Sequence, residues 1–368
     1  DPLSRGIAEY YIARRNIPSG NVIHVSFKPG NNVMQPQAFR TLKAAVDRQT
    51  PASVQAYALT WTAPYRVGCM SITTAFAAGF DEDFCARGCQ PTRTSPYYDS
   101  GSKQPFTDFS WRPAIMLAGE SLESVKELID RGVAADGTHP GGSAYLLSTS
   151  DRARNTRARF YPGIQFLQSD RFRVKAFSKD ILQHRTDVMF YFTGLASVDK
   201  IDTNTYLPGA MADHLTSAGG KLTGSSQMSS LRWLAAGATG SYGTVVEPCS
   251  FVQKFPRPDI AINRYLNGET LLEAYWKSVA WPGQGVFIGL AEDTFLVASE
   301  PYGVVETTDR YLRLDGETPG NPENPSASQG QIVVLCRDSA GELDGIERLA
   351  YDGTPLPIDA GEVQTAEI

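Results

Sequence analysis

The stretch DVMFYFTG, residues 187–194, constrains the fold of this chain more than any other feature of its sequence. It is apolar nearly throughout, a pattern typical of a central strand that is covered on both faces of a sheet. Other runs that predict strands are NVIHVSF at 21–27, SVQAYALTW at 53–61 and SAYLLST at 143–149. Helical patterns alternate with these runs through the first three quarters of the chain. We therefore predict an α/β fold, with a mainly parallel sheet flanked by helices.

Helices are predicted from apolar residues at helical spacing and from capping residues. The chain opens on the helical pattern DPLSRGIAEYYIARR, which Ser4 can cap, and SLESVKELIDRGVAA has Ser121 as its cap. PGAMADHLTSAGG, residues 208–220, is also predicted to be a helix, with two glycines past its end. Further helices are predicted around 39–46, in QMSSLRWLAAG and, twice, in RPDIAINRYLNGETLLEAYWKS. Because an α/β chain that opens on a helix has often lost a strand, we expect a mature or truncated start.

The length of 368 residues predicts two structural units, on a prior of roughly 100–200 residues per domain. Residues 1–290 carry the alternating pattern of an α/β domain. Residues 291–368 contain short alternating runs separated by Gly, Asp and Pro, which predict a small β-rich C-terminal appendix. The stretch 62–112 interrupts the α/β rhythm with many Gly, Pro, Ser and Tyr residues and three cysteines. So long an irregular insertion is usually functional or cross-linked.

Composition and motifs exclude several functions. The net charge of −6 comes from 34 basic and 40 acidic residues, without a basic stripe, so nucleic acid is not an expected partner. No apolar run reaches the roughly 18 residues of a spanning helix, so no membrane span is expected. The sequence holds no G-x-S-x-G elbow, dinucleotide fingerprint or Walker A motif. We therefore expect neither a serine α/β-hydrolase nor a nucleotide cofactor.

Five cysteines bear on the compartment and on metal binding. Cys85 and Cys89 form a C-x3-C pair, but a zinc site normally needs two more ligands at matching spacing, and the four histidines are scattered. Disulfides are favoured over metal, and they imply export. The candidates for disulfides are Cys69, Cys85, Cys89 and Cys249, and one thiol must be left over. No metal site is predicted beyond weak calcium candidates, Asp81 and Asp83, which are more often simply solvated.

A candidate ligand crevice lies in FTGLAS and in GATGSYGTVVEPC, residues 237–249. In an open parallel sheet, ligands collect at the carboxyl ends of the strands, and both segments are predicted at or beyond such ends. Glycine and threonine there allow close backbone approach and offer amides and hydroxyls. The predicted ligand-binding residues are Thr193, Gly194, Gly237, Thr239, Gly240, Ser241 and Thr244. Arg152 and Arg154, after another strand, could bind a carboxylate or phosphate, although surface pairing is the ordinary explanation.

A thiol mechanism is a second interpretation of the same region. Cys249 could act as nucleophile with His214 as its base, oriented by Glu247 or Asp213, because a thiol needs a nearby base or a lowered pKa. Against it, adjacent Asp213 and His214 cannot point the same way from a helix. A lone helical histidine is more often a packing residue, and a disulfide is the plainer role for Cys249.

Several long motifs are similar to a known family. DPLSRGIAEYYIARRNIP, QAYALTWTAPYRVGCMSITTAFAAGFD, DVMFYFTGLASV, LPGAMADHLTSAGG, QMSSLRWLAAGATGSYGTVVEPC and RYLNGETLLEAYWKSVAWPGQGVFIG resemble an uncharacterised family of exported bacterial proteins. That family occurs in bacteria with the exosortase and PEP-CTERM surface-sorting system. The resemblance covers roughly residues 1–290 and implies export and a link to the cell surface or extracellular matrix. After FIG, members usually continue with a Gly-Glu/Asp-Pro-Leu turn, which this chain replaces with LAEDTF.

A more distant similarity is to the caspase and gingipain plan, in which a His-Gly follows one strand and a cysteine follows the next. FTGLAS has Leu195 where that histidine would be expected, and AAGATGS has no cysteine. The comparison favours a protein that is not a peptidase on a peptidase-like sheet.

Three hypotheses about function follow. The first is an exported binding or assembly protein whose glycine-rich crevice holds a ligand, a protein subunit or a surface polymer. The second is a thiol-dependent hydrolase that uses Cys249 and His214. The third is a structural subunit of an extracellular assembly, in which 62–112 makes protein contacts and a homo-oligomer is possible. Binding and assembly together rank above catalysis, because the chain lacks a complete catalytic signature.

Overall fold

The computed structural model describes residues 1–27, 31–86, 88–138 and 140–290, and the backbone of five strands between 304 and 356. The chain divides into two compact units, Asp1–Phe295 and Leu296–Ile368. In the second unit the strands are β12 (Val304–Thr307), β13 (Arg310–Leu314), β14 (Gln331–Arg337), β15 (Leu343–Ala350) and β16 (Pro355–Leu356). They form one antiparallel sheet in chain order.

The first unit alternates helices and strands. Its helices are α1 (Pro2–Arg15), α2 (Pro36–Gln49), α3 (Ile72–Ala78), α4 (Pro105–Phe109), α5 (Leu122–Ala135), α6 (Leu231–Ala235), α7 (Pro258–Leu266) and α8 (Leu271–Ser278). Its strands are β1 (Val33–Met34), β2 (Tyr57–Leu59), β3 (Arg66–Val67), β4 (Met70–Ser71), β5 (Ala114–Met116), β6 (Gly142–Ser148), β7 (Phe172–Ser178), β8 (Val188–Thr193), β9 (Tyr206–His214), β10 (Gly240–Thr244) and β11 (Gly285–Gly289).

An eight-stranded sheet organises this unit, in the order β2-β5-β11-β10-β9-β8-β6-β7. Every neighbouring pair in it is parallel except β10 and β11, which are antiparallel. The predicted α/β fold with a mainly parallel sheet is therefore confirmed. Because β6 to β10 all run in one direction, their carboxyl ends lie at one edge of the sheet.

The central strand β8 is the run from which the fold was predicted. Phe190 and Phe192 belong to the largest hydrophobic cluster, whereas Tyr191 between them belongs to a second cluster. Since successive side chains of a strand point to opposite faces, the two clusters lie on opposite sides of the sheet. The strand is thus covered on both faces, as its unbroken apolar run predicts.

Local capping explains where some helices begin. The Oγ of Ser121 accepts from the backbone N–H of Ser124, and the Oγ of Ser124 reciprocates, so the predicted cap of α5 is confirmed. The start of α1 is corrected, because Asp1 rather than Ser4 is its cap and accepts from the N–H of Leu3. A carboxylate at that position also interacts favourably with the helix dipole.

The prediction of a helix over 208–220 is wrong, because these residues belong to β9 and the loop that follows it. β9 pairs in parallel with β8, with Thr193 opposite His214, and with β10 on its other side. Residues 209–214 are buried. A short run rich in small and apolar residues fits either a helix or a buried strand by its local pattern. The partner strands on both sides decide between the two.

Other predicted elements shift in smaller ways. Residues 22–27 form no strand, and Phe27 packs edge-on against Trp61 with ring centroids 5.4 Å apart. The run GVFIG is β11 of the main sheet. β5 and β7 were not predicted, since β5 is only three residues long and β7 alternates buried with exposed positions.

Candidate functional site

The candidate site lies at the carboxyl edge of the main sheet. The order of the strands reverses between β6 and β8, because β7 lies on one side of β6 and β8 on the other. Open α/β sheets bind ligands in the crevice at such a point. The Oγ1 of Thr149, directly after β6, donates to the carbonyl of Gly194, directly after β8, over 2.7 Å. The two loops therefore meet at this edge.

A hydrogen-bonded chain connects the loops after β6 and β9. The guanidinium of Arg154 pairs with Asp151 at 2.7 Å, and its Nε donates to the Oγ1 of Thr216 at 3.0 Å. Thr216 in turn donates to the Oε1 of Gln227 at 2.9 Å. Burial acts to raise the pKa of Asp151, but hydrogen bonds from Arg154 outweigh it and hold that pKa below its ordinary value. Arg154 is therefore fixed within the edge, in the surface pairing anticipated from the sequence.

A polar cavity of about 420 Å³ lies beside these hydrogen-bonded side chains, between the loops after β8 and β9. Gln227 belongs to both the chain and the cavity wall. The charged side chains of the wall are Asp199, Lys200, Asp202 and Arg232, and its uncharged polar members include Ser197, Ser225, Ser226 and Ser229. Two carboxylates and two cations balance, so the described lining has no net charge.

Beneath the edge lies a buried ion pair between Asp213 and Arg157, with side chains 0% and 1% exposed and 2.5 Å apart. Arg157 also donates to the carbonyl of Thr193, at the end of β8, over 2.7 Å. Burial raises the pKa of Asp213 above its ordinary value, although the guanidinium opposes this shift. The ion pair connects the segment after β6 to strands β8 and β9, and so it holds these three parts of the edge together.

His214 is not available as a general base. It is buried at the end of β9, where Nδ1 accepts from the indole N–H of Trp233 at 2.9 Å and Nε2 lies 3.2 Å from the carbonyl of Met228. These contacts assign the proton to Nε2. Burial lowers its pKa to about 3, and the Arg157 charge adds to the effect. Asp213 and His214 lie on strand β9 rather than on the predicted helix. Their side chains nevertheless point in different directions, because neighbouring residues of a strand face opposite sides of the sheet.

The pKa of His214 predicts the pH dependence of stability. An unfolded histidine binds a proton near pH 6.5 whereas the folded one resists it, so this group's contribution is complete above pH 6.5 and is lost as the pH falls. We expect the stability advantage of wild type over His214→Gln to shrink by about 2 kcal/mol between pH 6.5 and 5. Urea unfolding at each pH measures it.

The pH dependence of wild type must be compared with that of His214→Gln, because Asp213 acts in the opposite direction. The folded pKa of Asp213 is raised, so its contribution to stability is lost as the pH rises. His184→Gln, at an exposed position, is the matched control and should retain the wild-type pH dependence. A constant difference between wild type and His214→Gln across this range would contradict the assignment of a neutral His214.

Cys249 is bonded to Cys89, and Cys69 is bonded to Cys85. All four candidate disulfide cysteines are thus paired, and the predicted thiol nucleophile is corrected, because a disulfide sulfur is not a thiolate. Glu247 accepts from the backbone N–H of Cys249 at 2.7 Å rather than orienting His214. The structure therefore does not assemble the predicted cysteine and histidine pair.

The predicted ligand-binding glycines and hydroxyls are placed in and around β10 and after β8. A side chain at Gly194 would collide with the carbonyl of Arg154, and one at Gly240 with Leu271. Thr244 donates to the carbonyl of Thr216 at 3.0 Å. These contacts give close packing as the reason for small residues here. Gly237 has a φ of +115°, which disfavours a side chain, and Thr239 accepts from the N–H of Gly209.

Two hydroxyls of that predicted set differ, because the buried Oγ1 of Thr193 and Oγ of Ser241 have no hydrogen-bond partner among the described residues. Ligand contact by this set stays a prediction.

The calcium candidates Asp81 and Asp83 both pair with Arg93, at 2.5 and 2.7 Å, so a guanidinium lies where the cation would be held. Within the described ranges, no group of three or more His, Cys, Asp or Glu could hold a metal ion.

The sequence prediction of a crevice included Ser197 but not the other cavity-lining residues, in 198–202 and 222–232. The available signals were the polar runs SVDKID and TGSSQMSS, each rich in turn-forming residues. They were missed because the prediction of a helix over 208–220 left no strand end from which the second loop could start. With β9 in place, both runs follow strands that are neighbours in the sheet.

Comparisons with known proteins give no match to this chain among protein-family models, curated proteins or solved structures. The similarity to exosortase-associated exported proteins stays a prediction. Of the helices in the described part of the chain, none has both the length and the apolar character required to span a bilayer. Functional inference therefore rests on the geometry of the carboxyl edge.

Proposed function

We propose that this is an exported binding protein that holds an uncharged, hydroxyl-rich ligand, such as a segment of a surface polysaccharide, at the carboxyl edge of its sheet. The observation that carries the proposal is the polar cavity of about 420 Å³ between the loops after β8 and β9. Its volume lies within the range of ligand pockets, and it lies at the carboxyl edge of the sheet, next to the point between β6 and β8 at which open α/β sheets bind ligands.

The lining favours this class of ligand. Asp199 and Asp202 accept hydrogen bonds, Lys200 and Arg232 donate them, and serine hydroxyls and the amide of Gln227 can do both. A saccharide hydroxyl also donates and accepts, so it can pair with every one of these groups. Because the charges of the described lining balance, a strongly anionic or cationic ligand gains no net attraction.

The surface favours ligand binding over a permanent assembly. Among the described residues, the large apolar side chains that are exposed are Phe166, at 77%, and Ile181, at 40%. Permanent subunit interfaces are larger and more apolar than such isolated side chains provide. A homo-oligomer or a structural subunit is therefore the weaker proposal.

Two disulfides support the proposed location outside the reducing cytoplasm, because such bonds persist in oxidising compartments. The resemblance to exported surface proteins agrees with this location. The thiol-hydrolase alternative has less support, since Cys249 is bonded and His214 uses both ring nitrogens.

The proposal predicts that a bulky side chain in the cavity abolishes binding. Ser226 is exposed and lines the cavity, so Ser226→Trp fills it without disturbing the core. We expect the wild-type protein to bind at least one of dextran, mannan, alginate and hyaluronan, with neutral polymers preferred. Ser226→Trp should weaken that binding at least about tenfold, a loss of about 1.4 kcal/mol. Biolayer interferometry with immobilised protein measures both affinities.

Ser53→Trp is the matched control, because Ser53 is exposed and lies outside the cavity. It should bind like wild type. The proposal fails if the wild-type protein binds none of the four polymers, or if Ser226→Trp and Ser53→Trp bind equally well. A preference for alginate and hyaluronan over both neutral polymers would overturn the inference of an uncharged ligand.

A further inference from the structure

A second cavity, of about 660 Å³, lies between α2 and the segment 24–27. It shares no residue with the cavity at the carboxyl edge. One wall is a stripe of α2, and the opposite wall includes Val25 and Phe27. The α2 wall is largely apolar, whereas the opposite wall alternates the polar His24 and Ser26 with the half-buried Val25 and Phe27. This size and this lining are those of pockets that bind small molecules.

The stripe on α2 has a simple geometry. It consists of Ala38, Leu42, Ala45 and Gln49, whose spacings of four, three and four residues place them on one face of the helix. At a rise of 1.5 Å per residue, it extends roughly 16 Å along the helix axis. Gln35 lies at the beginning of the helix and also lines the cavity. The stripe is therefore mostly apolar between a carboxamide at each end, with the hydroxyl of Thr41 beside it in the lining.

The charged side chains of α2 are directed elsewhere. Arg40 lies over the ring of Phe80, and the Nζ of Lys43 pairs with Asp47 at 2.5 Å. No Asp, Glu, Lys or Arg belongs to the lining within the described residues, and His24 is its one titratable group. Among the described residues, an ionised ligand would meet no countercharge in this lining, which is costly in an apolar site.

The end groups can bind an uncharged head group. The Nε2 of Gln49 donates to the carbonyl of Ala45 at 3.0 Å, which leaves its amide oxygen as an acceptor. A hydroxyl or amide at the end of a ligand can donate to such an oxygen. An apolar stripe of this length with a polar end matches an extended hydrocarbon chain.

We propose that this α2 cavity is a second binding site, which takes one linear hydrocarbon chain with an uncharged hydrogen-bonding head, such as a fatty alcohol or fatty amide. The hydrocarbon chain packs along the stripe, and the head group forms a hydrogen bond with the carboxamide at one end. This site is independent of the proposed polysaccharide site, because the two have no residue in common.

The test uses N-phenyl-1-naphthylamine, an uncharged probe whose fluorescence rises in apolar surroundings, with the full chain. We expect saturable binding that 1-dodecanol displaces and dodecanoate displaces at least about tenfold less well. Ala38→Trp and Ala45→Trp place a large side chain in the cavity, and each should reduce probe binding at least about tenfold. Ala38 is exposed, so its variant can fold even where the half-buried Ala45 variant does not.

The matched control is Ala44→Trp, which adds the same side chain at an exposed position of α2 outside the cavity. It should bind the probe like wild type. Absence of saturable binding by wild type, equal binding by Ala38→Trp and Ala44→Trp, or equal displacement by dodecanol and dodecanoate would each overturn the proposal. Polysaccharide binding should be unchanged in Ala38→Trp, which separates failure of this site from failure of the first.

Discussion

Replacing Asp213 with asparagine is expected to lower the free energy of unfolding by about 3–5 kcal/mol at pH 8. At that pH the carboxylate is ionised and pairs with Arg157 in the interior, and asparagine leaves the guanidinium as an uncompensated buried charge. Urea unfolding followed by tryptophan fluorescence measures the loss. Because burial raises the pKa of Asp213, the folded wild type takes up a proton and gains stability as the pH is lowered, so the loss relative to wild type should increase.

The double variant Arg157→Met, Asp213→Leu tests whether the loss of stability in Asp213→Asn comes from the unpaired charge of Arg157. Removing both charges leaves no unpaired ion, so the double variant should be more stable than Asp213→Asn. Glu9→Gln is the control on an exposed pair with Arg5, and it should change stability by less than about 1 kcal/mol. If Asp213→Asn proves as stable as Glu9→Gln, then Asp213 and Arg157 do not form a buried ion pair.

Removing the disulfide between Cys89 and Cys249 is expected to cost about 5 kcal/mol, because the bond closes a loop across 160 residues of sequence. Removing the bond between Cys69 and Cys85, which are 16 residues apart, is expected to cost about 3 kcal/mol. The difference arises in the unfolded chain, where the longer loop would otherwise have more freedom. The two double serine variants are compared with wild type by urea unfolding.

Peptide mass spectrometry of the non-reduced protein first verifies the pairing of the four cysteines. The Cys69→Ser, Cys85→Ser variant is the matched control, since it also removes one bond and two sulfur atoms. Equal losses of stability in the two double variants would contradict the loop-length argument. Rapid alkylation of Cys249 in the native protein would contradict the bond itself and would restore the thiol hypothesis.

Some parts of the structure could be predicted from local sequence because a single segment contains the whole signal. The uninterrupted apolar run of β8 predicts a strand buried on both faces, and Ser121 predicts the start of α5. Five cysteines and scattered histidines predict disulfides rather than zinc. In each case, the deciding property belongs to residues that are close together in the chain.

The candidate site could be predicted only in its position at a sheet edge. Its walls, the loops 197–202 and 222–232, are separated by β9, which the local pattern assigns to a helix. Likewise, the cysteine count does not say that Cys89 pairs with Cys249 rather than with Cys85.

The sequence by itself therefore determined the α/β class, the central strand and the existence of disulfides. The tertiary structure alone decided that β9 is a strand, that Cys249 is not a nucleophile, that His214 is neutral, and that two polar loops enclose a cavity. The physical reason is that local patterns record burial and capping, whereas strand pairing, disulfide partners and pKa shifts depend on groups brought together from distant parts of the chain.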